Sequence, residues 1–266
     1  MKNYLLILFL CCAFTNLKAI ESKIIHNIEN EIITNIDIKR EFRYLIALNN
    51  SLKELDKEKI LNISNQSIIR ERIKKIEILK NFKEIKINED YLKLLLKNIY
   101  LRLGLKSINE FEIYLKDYNL EINNIKKKVT IDALWNELII KKYSTKLSIN
   151  EPEIKKEILK NSKIQSKKYQ LSEIIFEVIN KEEIQSKYNE VVKSINEIGF
   201  ENTAATYSFS ESSKIGGDIG WISESSLNDD IRKNINSLQK GEVTRPIILS
   251  NGIMVLKLIN TKNIET

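Results

Sequence analysis

The chain has 266 residues, a formal net charge of +7, one histidine and two cysteines. Lys and Glu are interspersed along it, so the charge indicates a solvated surface. A nucleic-acid site would need a basic stripe with interleaved aromatic residues, which the lysine run at 126–128 lacks. Both cysteines, Cys11 and Cys12, lie in the first 19 residues, so the rest of the chain has no disulfide, cysteine nucleophile or thiolate metal site. We expect no cofactor, no metal and no nucleic-acid partner.

The first 19 residues have the layout of a secretory signal peptide. Lys2 gives a positive start, residues 4–14 form an apolar run, and Ala19 is a small residue at the predicted cleavage point. Because the run is too short for a comfortable membrane span, we expect export and cleavage after Ala19. The mature protein is then periplasmic, with no stable membrane insertion. The alternative is an uncleaved amphipathic anchor.

The chain is long enough for two domains. Glycine content differs between its two parts, since six of the seven glycines follow residue 198. In the first part, residues 23–33 predict two short strands in a hairpin, and Thr34 predicts the start of a helix that ends near Leu48. Further helices are expected from 65 to 143. There, apolar residues recur at steps of three and four in four stripes: Ile69, Ile73, Ile76 and Leu79; Leu92, Leu95, Ile99 and Leu103; Phe111, Leu115 and Tyr118; and Ile122, Ile125, Val129 and Ala133. Such stripes, joined by short polar turns, indicate an irregular helical bundle.

The second part follows another short helix at 151–160 and a lysine-rich boundary at 161–168. Its expected elements are a strand at 169–179, helices at 184–198 and 200–207, a helix at 227–238, and two strands about a turn at 250–252. Three glycines lie between 216 and 220, so the backbone there needs a positive φ or close approach to another group. Trp221 follows this loop and is expected to pack beneath the sheet. The predicted fold class is α+β, with a small antiparallel sheet wrapped by helices.

Four stretches of the second part stand in a specific order. They are LSEIIF at 171–176, GGDIGW at 216–221, and GEVTRP at 241–246 with NGIMVL at 251–256. Together they resemble a parvulin-type (PpiC, or rotamase) peptidyl-prolyl isomerase domain, which we place at 166–261. The resemblance implies the parvulin fold.

The first part has its own ordered set. NEIIT at 30–34 leads into the first helix, RERI at 70–73 lies in a long helix, and LKS at 105–107 precedes a long basic helix. In this order they resemble the N-terminal chaperone domain of SurA-type periplasmic proteins, which we place at 20–165. Proteins of that type place this module before parvulin domains and carry a signal peptide.

The parvulin resemblance also implies the positions of the site. Active parvulins commonly surround an apolar proline cup with two histidines and an Asp or Cys. In this chain the polar positions fall on Glu173, Ser210 and Met254, and the cup positions fall on Ile222, Leu227 and Ile231. Since neither histidine is present, the resemblance implies a degenerate isomerase site with an aliphatic, shallower cup that can still bind extended peptides.

These resemblances predict an exported SurA-like chaperone or foldase whose partners are unfolded outer-membrane or secreted polypeptides. The alternative is a working peptidyl-prolyl isomerase with a modified site. A serine hydrolase is excluded unless a lysine serves as base, because the serines at 208–213 lack a histidine. His26, alone in the first strand, is expected to be structural. Asp229 and Asp230 are expected on the exposed side of a helix rather than in a metal site.

Overall fold

The computed structural model describes residues 21–144, 166–249 and 252–264. Some predicted features lie outside the described residues: the signal peptide at 1–19, the helix at 151–160, most of the boundary at 161–168, and the turn residues 250–251. The α+β fold class is confirmed. We call residues 21–144 the helical module and the described residues from 166 onward the sheet module. Within these ranges, no helix combines the length and the apolar character needed to cross a bilayer.

The helical module begins with the predicted hairpin and continues with helices. Its elements are β1 (Ile24–Ile28), β2 (Glu31–Thr34), α1 (Asn35–Leu48), α2 (Lys57–Asn81), α3 (Glu89–Arg102), α4 (Ile108–Asp117) and α5 (Ile122–Tyr143). Helix α1 begins where predicted, because Thr34 Oγ1 accepts a hydrogen bond from the Asp37 amide at 3.2 Å. Asp37 Oδ2 in turn accepts one from the Thr34 amide at 2.9 Å. This reciprocal pair satisfies two amides that the first turn leaves free.

One apolar core joins α1, α3, α4 and α5. Leu45, Phe111, Leu115 and Ile125 are almost completely buried in it. The predicted stripe of α3 packs at the edge of this core, together with the fully covered Leu96. The apolar spacing of α3, α4 and α5 therefore identified their buried sides correctly.

Helix α2 departs from its prediction in both its start and its buried side. It begins at Lys57 rather than at 65, and Ile73 and Leu79 of the predicted stripe are 48% and 49% exposed. The buried positions are instead Ile60, Ser64, Ser67, Ile68, Glu71 and Ile78. Half of these are polar, so apolar spacing alone selected a stripe that is turned away from the interior.

The sheet module is an antiparallel sheet with a helix on each face. Its elements are β3 (Ser166–Phe176), α6 (Ile184–Tyr207), β4 (Asp218–Ser223), α7 (Asp229–Asn236), β5 (Ile247–Leu249) and β6 (Gly252–Ile264), and the strand order is β4-β3-β6-β5. Val191 and Phe200 of α6 pack on one face, and Ile235 of α7 packs on the other. Gly199, with φ +82°, interrupts α6 and separates the two helices expected from the sequence.

The two modules meet at a short 3-10 turn, Glu211–Ile215, just before the glycine loop. Lys214 Nζ lies 2.8 Å from Asp132 Oδ2 of α5, and Lys74 of α2 also pairs with Asp132. Burial alone would raise the pKa of Asp132, but these two lysines hold it below its usual value. Ile215 and Ala205 add apolar contact with the helical core. The glycine loop is therefore fixed against the helical module.

Candidate functional site

The structure brings Glu173 and Ser210 together through a residue that the sequence did not single out. Glu173 lies in β3 opposite Leu256 of β6. Ser212 Oγ donates a hydrogen bond to Glu173 Oε1 at 2.9 Å and shares another with Ser210 Oγ. The polar part of the site is therefore a short chain that runs from one carboxylate through two hydroxyls.

Met254 lies on the same face of the sheet as Glu173. In β6, Met254 pairs with Ile175, while Leu256 pairs with Glu173. Because residues two apart in a strand point to the same face, Glu173 and Ile175 of β3 share a face with Met254 and Leu256 of β6. All three predicted polar positions thus converge on one side of the sheet.

The predicted cup positions form an aliphatic cluster on that same face. Leu227 and Met254 are 9% and 7% exposed, so they serve chiefly as the floor of the cluster. Ile222 and Ile231 are half-buried and pack at its margin, as does Ile175. The surface offered to a ligand is therefore aliphatic, with a carboxylate at its edge.

The loop before β4 holds this arrangement against β3. The Glu173 amide donates to the Gly217 carbonyl at 2.7 Å, and the Phe209 amide donates to the Ile175 carbonyl at 2.9 Å. Ser208 Oγ accepts from the Ile175 amide at 3.0 Å. The loop and the strand therefore form one rigid unit on which Ser210 and Ser212 are carried.

The chemistry of this unit is limited to hydrogen bonding and one carboxylate. No lysine or arginine pairs with Glu173 among the residues that the structure describes. His26 lies in the helical module, where its Nε2 is 2.8 Å from Asn65 Oδ1, which agrees with a structural role. Across the described ranges, no group of three His, Cys, Asp or Glu side chains gathers closely enough to hold a metal ion.

Two further expectations have different outcomes. Trp221 is not packed beneath the sheet. It lies on the edge strand β4 and is 38% exposed, and its ring centroid is 4.2 Å from Lys262 Nζ. Ile222, the next residue of β4, packs against the aliphatic cluster, so the indole of Trp221 points to the opposite side at the sheet edge. Asp229 and Asp230 are exposed in the first turn of α7, as expected.

Comparisons with known proteins agree with both halves of the sequence interpretation. Residues 170–260 match the rotamase family model, described as the PPIC-type PPIASE domain. The chain is 27% identical over 161 residues to Chaperone SurA of Pseudomonas putida, and the matched region covers 57% of this chain and 38% of that protein. It is 22% identical over 163 residues to Chaperone SurA of Chromohalobacter salexigens, and this match covers 59% of this chain and 38% of that protein. A solved structure of the SurA-like chaperones PEB4 and Cj1289 from Campylobacter jejuni is 18% identical, covers 91% of this chain and 85% of that one, and has a TM-score of 0.31.

The family-model match and the two SurA relatives confirm the resemblance to SurA-type chaperones with one parvulin domain. The matched regions cover about 38% of the length of the two SurA relatives. The activity, clients and partners of this chain are therefore matters for proposal.

Proposed function

We propose that this protein is an exported, periplasmic chaperone that holds unfolded outer-membrane or secreted polypeptides, and that the helical module is its main binding surface. The proposal rests chiefly on helix α3, which has apolar residues on two sides. Leu92, Leu95 and Ile99 face the core, whereas the stripe formed by Tyr91, Leu94 and Leu101 is 48%, 52% and 50% exposed. An apolar stripe left open in this way is typical of a surface that another polypeptide covers. Similarity to SurA chaperones supports the same conclusion.

We expect Leu94→Ser combined with Leu101→Ser to weaken client binding by roughly 30-fold. Each leucine has about half its side chain available for burial, so the pair contributes about 2 kcal/mol to binding. The measurement is the concentration of protein that halves the aggregation of a urea-unfolded β-barrel outer-membrane protein on dilution. Circular dichroism checks that the variant remains folded.

The matched control is Glu89→Ser combined with Lys93→Ser, since both residues are exposed on the same helix but on a different side from the stripe. This control is expected to suppress aggregation as well as the unchanged protein does. Equal suppression by the leucine variant would contradict a role for the α3 stripe. No suppression by the unchanged protein would contradict the chaperone proposal itself.

For the sheet module we propose auxiliary peptide binding by a degenerate parvulin site. Glu173, Ser210 and Met254 stand at the parvulin polar positions, and Ile222, Leu227 and Ile231 form the aliphatic surface. Without imidazoles the site lacks the usual polar network around the twisted amide, although an extended segment can still pack on the cluster.

A protease-coupled assay with a proline peptide measures the isomerisation rate. It tests whether the parvulin site is degenerate or has isomerase activity, the second candidate function. The match to a PPIC-type domain favours that second candidate. We expect a rate equal to the uncatalysed rate, because neither histidine is present. An acceleration that falls when Ile231, which is only half-buried, is replaced by Ala would favour isomerase activity instead.

A further inference from the structure

A cleft of about 550 Å³ lies between α2 of the helical module and α6 of the sheet module. None of the six predicted site residues lines it. On the α2 side, Lys59, Asn62, Gln66 and Arg70 line the cleft. They recur at steps of three and four residues, so they form one polar face of the helix.

Two positively charged side chains on this face form no ion pair within the described residues. The side chains of Lys59 and Arg70 make no hydrogen bond or ion pair with any other residue that the structure describes. Arg70 is partly buried, and this burial lowers the pKa of its guanidinium despite the opposing charge of Glu41. Glu41 itself is occupied by Ser67 and Lys128. A partly buried guanidinium without a partner favours an anion in the space before it.

The α6 side of the cleft is already balanced in charge. Glu190 pairs with Lys187 at 2.8 Å, and Glu197 pairs with Lys193 at 3.8 Å. The unmatched charge of the cleft is therefore positive and lies on α2. The two carboxylates nevertheless disfavour a dense dianion such as phosphate, so a singly charged carboxylate fits this cleft better.

We propose that this cleft binds a carboxylate-bearing segment of a polypeptide, and that Arg70 is the group that recognises the carboxylate. The planar guanidinium can form two parallel hydrogen bonds with a carboxylate. Asn62 and Gln66 can hydrogen-bond the peptide backbone beside it, and Ile63 and Ile198 supply apolar contact for a neighbouring side chain. This site is separate from both the α3 stripe and the parvulin cluster, so it does not depend on the chaperone proposal.

Fluorescence anisotropy with the full chain tests the proposal. The probe is a fluorescein-labelled, C-terminally amidated decapeptide of alanine and serine with leucines on either side of a central Asp. The reference peptide has Asn in place of Asp. We expect the Asp peptide to bind about tenfold more tightly, and Arg70→Gln to abolish that preference. Arg70→Lys is expected to retain part of it, because the charge remains but the paired geometry is lost.

Lys57→Gln is the matched control, since it changes the net charge equally at an exposed position of the same helix. It is expected to keep the preference for Asp. Tight binding of an Asn peptide with a free C-terminus would also support the proposal and would assign the carboxylate to the chain end. Equal binding of all three peptides, an unchanged preference in Arg70→Gln, or displacement by millimolar inorganic phosphate but not by acetate would overturn it.

Discussion

Replacing Lys128 with methionine is expected to lower the free energy of unfolding by about 3–5 kcal/mol. Lys128 Nζ donates hydrogen bonds to the carboxylates of Glu41 and Glu71, and the three residues are only 8%, 1% and 7% exposed. Burial alone would lower the pKa of Lys128, but the two carboxylates raise it above its usual value. While both carboxylates are ionised, the ammonium therefore stabilises the fold at pH values below about 10.4, and this contribution is lost as the pH rises through the higher pKa of the folded state. Without the lysine, and within the described ranges, the buried Glu41 carboxylate keeps only its hydrogen bond from Ser67, and the buried Glu71 carboxylate keeps only its 3.6 Å pair with Arg72.

Urea unfolding at neutral pH, followed by circular dichroism, measures this loss. The control is Lys127→Met at the exposed neighbouring position, where we expect a change within about 0.5 kcal/mol. Adding Glu41→Gln and Glu71→Gln to Lys128→Met should recover part of the stability, because no unpaired charge then remains inside. If Lys128→Met unfolded at the same urea concentration as Lys127→Met, the cluster would not stabilise the bundle.

The same cluster marks the limit of what the sequence could predict about the helical module. The start of α1 was predictable because its signal is local: Thr34 and Asp37 cap each other three residues apart. The interspersed lysines and glutamates predict a solvated surface, which is wrong for Lys128. Its partners lie 87 and 57 residues away in the chain, on α1 and α2. No periodicity within one helix indicates such a meeting of three polar side chains from three helices.

In the sheet module, the site positions could be named from the parvulin resemblance, but their connections could not. Glu173, Ser210 and Met254 do share one face, and the register of β3 with β6 accounts for this. Ser212, which links Glu173 to Ser210, was only one of several serines in the sequence. The 3-10 turn that begins at Glu211 decides which hydroxyl faces β3, and this turn depends on its contacts with the helical module.

Gly217→Ala is expected to detach the glycine loop from β3 and to destabilise the sheet module by about 2–4 kcal/mol. Gly217 has φ +83°, and a Cβ at this position would lie 2.4 Å from the backbone carbonyl oxygen of Glu173. Neither strand nor loop can absorb this approach by turning a side chain, so the backbone must move. That movement breaks the 2.7 Å hydrogen bond from the Glu173 amide to the Gly217 carbonyl and shifts Ser212 away from the carboxylate.

Gly220→Ala separates the effect of close approach from that of backbone conformation. Gly220 has a similar φ of +73°, but a Cβ there meets nothing within 4 Å. We therefore expect a loss of only about 1 kcal/mol, from the left-handed conformation alone. Hydrogen exchange at the Glu173 amide is the local measurement: protection should fall by roughly 30-fold or more in Gly217→Ala and by no more than about fivefold in Gly220→Ala. Equal losses in the two variants would mean that backbone conformation, and not contact with β3, requires glycine at residue 217.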